Sequence, residues 1–146
     1  MRCERRALRV VVDTNVWISG LIVPQSAPGR VVEAVWRREI EPVLSWELVE
    51  EIADVLARPK LQKYEVPPDT LTALLQLVAP ALPTVEMEVE LRDPDDAPVV
   101  AAAIAGRAEI IVTGDRGLLD DEDLRSWLGV RGVELRTPAD LLPDLT

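Results

Sequence analysis

A chain of 146 residues that is 48% hydrophobic has enough apolar side chains for one sizeable core, and one domain over residues 1–146 is expected. With 16 basic against 26 acidic residues the net charge is −10, which argues against nucleic-acid binding through a general positive field but leaves a locally basic groove open. The absence of histidine and the single cysteine, Cys3, exclude Ser-His and Cys-His nucleophiles, imidazole bases, internal disulfides and ordinary zinc sites, so any catalysis falls to carboxylates.

The chain opens with Arg2, Arg5 and Arg6 leading into a strand-like segment, not a signal-peptide core, and no apolar run approaches the roughly 20 residues of a membrane span. A cytoplasmic protein is expected. Leu8 and the valines at 10 to 12 form a stiff, β-branched run, the pattern of a strand buried on both faces. The run stops at Asp13. In an open parallel sheet ligands bind beyond the carboxyl ends of the strands, so Asp13 is the first candidate site residue. The alternative is that it only caps the next helix.

That helix is predicted over Thr14 to Ile22, before Pro24, Pro28 and Gly29 interrupt it. A second helix is predicted from about Gly29 to Arg38, and a short strand over Ile40 to Leu44. Ser45 is a natural N-cap for a third helix, Trp46 to Ala57, which Arg58-Pro59 ends. Four acids lie on this helix. Measured from the centre of its apolar arc at Ile52, Glu51 is about 100° away, Glu47 about 140°, and Glu50 and Asp54 about 160°. Glu51 is thus the acid nearest the core side, although a flanking residue with a solvated head gives the same spacing.

Pro67-Pro68-Asp69 should open a fourth helix over Thr70 to Ala79, and Thr84 to Val89 alternates like a half-exposed edge strand. Asp93, Asp95 and Asp96 then precede the apolar run Val99 to Ala105. A helix start can satisfy such acids through its dipole, yet three adjacent carboxylates repel one another unless they share a cation. Helical spacing aligns Asp96 with Val100 and Ala103, the inward side. Glu109 to Thr113 is another buried-strand run, and it ends on Gly114-Asp115. If the two acid-tipped strands are neighbours across a topological switch point, Asp13 and Asp115 face one crevice. Asp120 to Asp123 reads as a solvated cluster at a helix start, Val133 to Leu135 as a last strand, and Thr137 as the start of a terminal helical turn. Trp17, Trp36, Trp46 and Trp127 are enough large apolar surface for an interface, although each is expected in the core.

These pieces together resemble the PIN-domain ribonucleases, and within them the toxin components of toxin–antitoxin pairs. The resemblance rests on Val-Val-Asp13-Thr14-Asn15-Val, on Leu-Val-Glu-Glu51-Ile-Ala-Asp-Val-Leu-Ala-Arg-Pro-Lys, on Arg-Asp93-Pro-Asp-Asp96, and on Ile-Val-Thr113-Gly-Asp115. It implies a three-layer α/β/α sandwich with a central, mainly parallel sheet. It also implies an acidic quartet of Asp13, Glu51, Asp96 and Asp115, supported by Asn15 and Thr113, with Ser45 and Asp93 as further candidates. Members often carry an acid two residues beyond the Thr-Gly-Asp turn, where this chain has Gly117.

Hard oxygen ligands without thiolate or imidazole suit Mg²⁺ or Mn²⁺, and such an ion activates water without a side-chain base. The expected activity, as the resemblance implies it, is metal-dependent endonucleolytic cleavage of single-stranded RNA. A cognate antitoxin and a homodimer are the partners it implies. Arg58 and Lys60, just past the helix bearing Glu51, are the first candidates for RNA contact, ahead of Arg9, Arg30, Arg37, Arg38, Lys63 and Arg116. A non-catalytic binding module on the same fold is the alternative. A phosphatase or receiver-like pocket fits less well, because Asn15 stands where the common phosphatase pattern has a second aspartate.

Overall fold

A computed structural model describes residues 7–77 and 96–145. The first predicted strand forms as β1 (Leu8–Val12), and Val10, Val11 and Val12 are buried, as an unalternating apolar run requires. Three further strands follow: β2 (Ile40–Pro42), β3 (Ile110–Val112) and β4 (Glu134–Arg136). All three pairings are parallel, and the order is β2-β1-β3-β4. Chain order therefore runs outward on either side of β1 and β3, which makes the gap between them the switch point. The Val12↔Val112 register brings both strands to their carboxyl ends side by side.

Helices α1 (Thr14–Ile22) and α2 (Ala27–Trp36) connect β1 to β2. Helices α3 (Trp46–Leu56), α4 (Asp69–Leu75) and α5 (Ala97–Ala105) fall between β2 and β3, and α5 packs on β1 and β3. Helices α6 (Arg116–Leu119) and α7 (Glu122–Val130) lead to β4, and α8 (Pro138–Leu141) follows it. Because the β1→β2 and β3→β4 connections leave in opposite directions, right-handed crossovers put their helices on opposite faces of the sheet. This is the three-layer α/β/α arrangement.

Several boundaries differ from expectation for local reasons. The α2 helix starts earlier than Gly29 because Ser26 caps it, its hydroxyl oxygen accepting from the Gly29 amide at 3.1 Å, and Pro28 then sits in the first turn, where its missing N–H costs nothing. Arg58-Pro59 does end α3, but Pro59–Tyr64 continues as a 3₁₀ helix that apolar periodicity does not reveal. Helix α4 starts at Asp69 and ends at Leu75 with Gln76 as its C-cap, short of the expected Ala79, and the predicted strand over Thr84 to Val89 lies outside the described residues. Trp17 is 1% exposed, but Trp36 and Trp46 are exposed, so the expectation of four core tryptophans fails for two of them. Asp121 is buried, not solvated: its carboxylate accepts from the Leu124 amide at 3.1 Å and caps α7. No helix among the described residues is long and apolar enough to cross a membrane.

Candidate functional site

Asp13 occupies the N-cap position of α1, but its side chain makes no capping hydrogen bond. It turns instead to the neighbouring strand, where the Thr113 hydroxyl donates to Asp13 Oδ2 at 2.7 Å. The backbone supports this pairing, since the Asp13 amide donates to the Val112 carbonyl at 2.9 Å and so extends the parallel ladder by one residue. Thr113 is fully buried, and its Oγ1 also accepts from the Asp115 amide at 3.0 Å. One hydroxyl thus links the acid that ends β1 to the turn carrying the acid that follows β3. Asp115 is partly exposed and caps the short α6, one carboxylate oxygen accepting from the Gly117 amide at 2.8 Å. Glycine at 117, the position where the resemblance leads one to expect a fifth acid, serves that bond: an added Cβ would lie 3.2 Å from Asp115 Oδ1.

The electrostatics follow from burial. Loss of water around Asp13 pushes its carboxyl pKa above the ordinary 3.8, and the Thr113 hydrogen bond and the Thr14 backbone pull it back. The charges of Glu51 and Asp115 raise it further, so three carboxylates share one neighbourhood. Glu51 is half-buried on α3 while Glu47, Glu50 and Asp54 are exposed, as the angular spacing predicted. Asp96 stands half-buried at the N-cap of α5 with no side-chain capping bond. A helix that leads through a short turn into β3 must begin at the carboxyl edge of the sheet, so Asp96 belongs to the same rim.

The remaining candidates divide. Asn15 is exposed on α1, two residues past Asp13. Ser45 caps α3, its hydroxyl oxygen accepting from the Leu48 amide at 3.2 Å. Asp93 lies outside the described residues. Arg58 and Lys60 are exposed beyond the far end of α3, about 10 Å along the helix axis from Glu51. Arg116 is closer to the chemistry: with Asp115 it lines a cleft of about 540 Å³ over the carboxyl ends of β1, β3 and β4. Among the candidate cations, its place directly after Asp115 in the sequence is what singles out Arg116.

The donor chemistry fits a hard divalent cation, because every candidate ligand is an oxygen and the chain has no histidine. Among the described residues no three His, Cys, Asp or Glu side chains converge as a finished cage. Mg²⁺ in particular keeps several waters and needs only one or two carboxylates beside substrate phosphate, which Asp13 and Asp115 can provide.

A parallel α/β sheet with a carboxylate-lined crevice at its switch point defines the class of protein. A family model for the PIN domain matches residues 9–117, a span that includes Asp13, Glu51, Asp96 and Asp115. This chain belongs to the PIN-domain family, whose members are generally nucleases and typically use divalent metals. It is also similar to an uncharacterized protein of Methanocaldococcus jannaschii, 31% identical over 141 residues that cover 94% of this chain and 90% of that one. No solved structure matches the chain.

Proposed function

We propose that the protein is a metal-dependent endoribonuclease that hydrolyses single-stranded RNA at the crevice between β1 and β3. The observation that carries this reading is the linkage of Asp13 and Asp115 through one buried hydroxyl, with Glu51 near enough to act on the Asp13 charge. Clustered carboxylates destabilise each other in an empty site, and holding a cation is the function that offsets the repulsion. Asp13 and Asp115 are the direct ligands in this reading, with Glu51 and Asp96 at the rim binding through water.

When bound, Mg²⁺ or Mn²⁺ supplies acidified water and neutralises phosphate charge, so no side-chain base is needed. Thr113 holds the Asp13 carboxylate and the Asp115 backbone through one hydroxyl, and the Gly117 amide holds the Asp115 carboxylate. Arg116, 80% exposed and only loosely paired with Asp120 at 3.9 Å, attracts the strand toward an otherwise acidic surface.

The test is incubation of purified protein with a labelled, mixed-sequence single-stranded RNA in Mg²⁺, Mn²⁺ or chelator. Internal cuts that leave 5′-phosphate and 3′-hydroxyl ends, present with metal and absent with chelator, are expected. Equal degradation in chelator would overturn the metal-dependent mechanism. As a toxin the protein would also be neutralised by a partner antitoxin, and the growth of cells expressing it with and without its neighbouring reading frame tests that role.

A further inference from the structure

The cleft beside Asp115 is built from α1, the first turn of α2 and the segments that follow β3 and β4, whereas Glu51 stands on α3, which follows β2. The acids and the cleft are therefore neighbours along one edge of the sheet, and they share Asp115. The cleft volume of about 540 Å³ falls in the range of small-molecule sites, roughly 300–1,000 Å³. Its walls are of two kinds. Pro28, Pro138 and Ala139 provide flat aliphatic surface, and Asn15 and Ser19 provide hydrogen-bonding groups. Those two are the only fully exposed residues of α1, and they stand one turn apart on the same face. With five residues of α1 buried and Leu21 and Ile22 half-buried, its exposed positions are two polar ones that both line the cleft, a solvent face suited to reading a ligand.

We propose that this cleft seats the base and ribose of one nucleotide of the RNA strand, adjacent to the phosphate at Asp13 and Asp115; this rests on the nuclease reading above. A base is a flat apolar body with a polar edge, and the two kinds of wall match its two parts. The carboxamide of Asn15 offers both donor and acceptor and the Ser19 hydroxyl either, so the pair discriminates between base edges in an unstacked strand. Arg116 lies at the Asp115 side of the cleft, where it meets the backbone phosphate that joins the seated nucleotide to its neighbour.

The experiment uses the full chain without divalent metal and the four nucleoside 5′-monophosphates as probes, followed by backbone amide NMR. Shifts concentrated at Asn15, Ser19, Gly114 and Ala139 are expected, strongest for one base, and weakened about tenfold by Ser19→Phe or Ala139→Phe, which fill the cleft from exposed positions. The same variants should raise KM for RNA about tenfold while kcat stays within about twofold, and should blur the choice of cutting site. No localised shifts up to about 10 mM nucleotide, or filled variants that cut the same positions with unchanged KM, would overturn the proposal. If the wild-type protein cuts no RNA with any metal yet nucleotides still bind at these residues, the nuclease reading fails and the cleft assignment stands.

Discussion

The Thr113 hydroxyl donates to Asp13 Oδ2 across 2.7 Å although the two residues are 100 positions apart in the chain. The contact exists because β1 and β3 are adjacent and parallel, and it ties Asp13 to Asp115 because the same oxygen accepts the Asp115 amide. Thr113→Val keeps the shape and removes both bonds. The part-buried Asp115 amide and the buried Asp13 carboxylate then lose their partner, for an expected loss of about 1–3 kcal/mol in stability. Cleavage should fall about 10–100-fold, as when the residue that orients a metal ligand is removed. Thr113→Ser should restore most of both. Urea unfolding and initial rates measured on the three proteins check this, and a fully active Thr113→Val would contradict it.

The raised carboxyl of Asp13 gives a pH dependence opposite to that of a salt-bridged aspartate. Its pKa is higher in the folded protein than the ordinary 3.8, so the folded state binds its proton more tightly than the unfolded chain does. The stability contributed by this group is therefore fully present below about pH 4 and is lost as pH rises through the folded pKa. In metal-free protein, Asp13→Asn should flatten that slope and raise the melting temperature at neutral pH, since the carboxamide oxygen can still accept from Thr113. Thermal melts from pH 4 to 8 decide the point, and a variant less stable than wild type at pH 7 would count against the charge cluster.

Gly20 marks where α1 meets α2. A Cβ there would stand 2.6 Å from the Pro28 carbonyl oxygen and 2.6 Å from Val32 Cγ2, and the backbone partner cannot rotate away. Gly20→Ala should gain up to about 1 kcal/mol of helix propensity but lose about 1–3 kcal/mol to overpacking, so the net change is destabilising. Since Pro28 also walls the cleft, nucleotide binding should weaken along with it. Equilibrium unfolding would reveal the sign, and a stabilised variant would mean that the helices can separate at no cost.

Ser45 separates a structural role from a catalytic one. Its hydroxyl oxygen already accepts the Leu48 amide, so Ser45→Ala should cost about 1 kcal/mol as a lost cap. Ser45→Asp, another good cap, should recover that stability, as urea midpoints would show.

Both acid-tipped strands were legible in the sequence because strands buried on two faces read as unbroken apolar runs, and Val10 to Val12 and Ile110 to Val112 are such runs. Periodicity also ranked Glu51 ahead of its three helical neighbours, since direction on a helix follows from spacing alone. The neighbouring of β1 and β3 was not legible, because strand order depends on long-range pairing; it entered only as the condition under which Asp13 and Asp115 would meet. Asp121 was misjudged for a related reason: whether an acid in a charged run is solvated or buried as a cap depends on the chain packed over it. The cleft was invisible for the same cause, its walls being drawn from four segments far apart in the chain: α1, the start of α2 and the stretches after β3 and β4.

The most direct measurement is metal-dependent cleavage of single-stranded RNA by wild-type protein beside Asp13→Asn, with the fold of each verified by its melting curve. Cutting in Mg²⁺ or Mn²⁺ that vanishes in a variant at least as stable as wild type is the result expected of a carboxylate site centred on Asp13. Unchanged cleavage by the variant would contradict it.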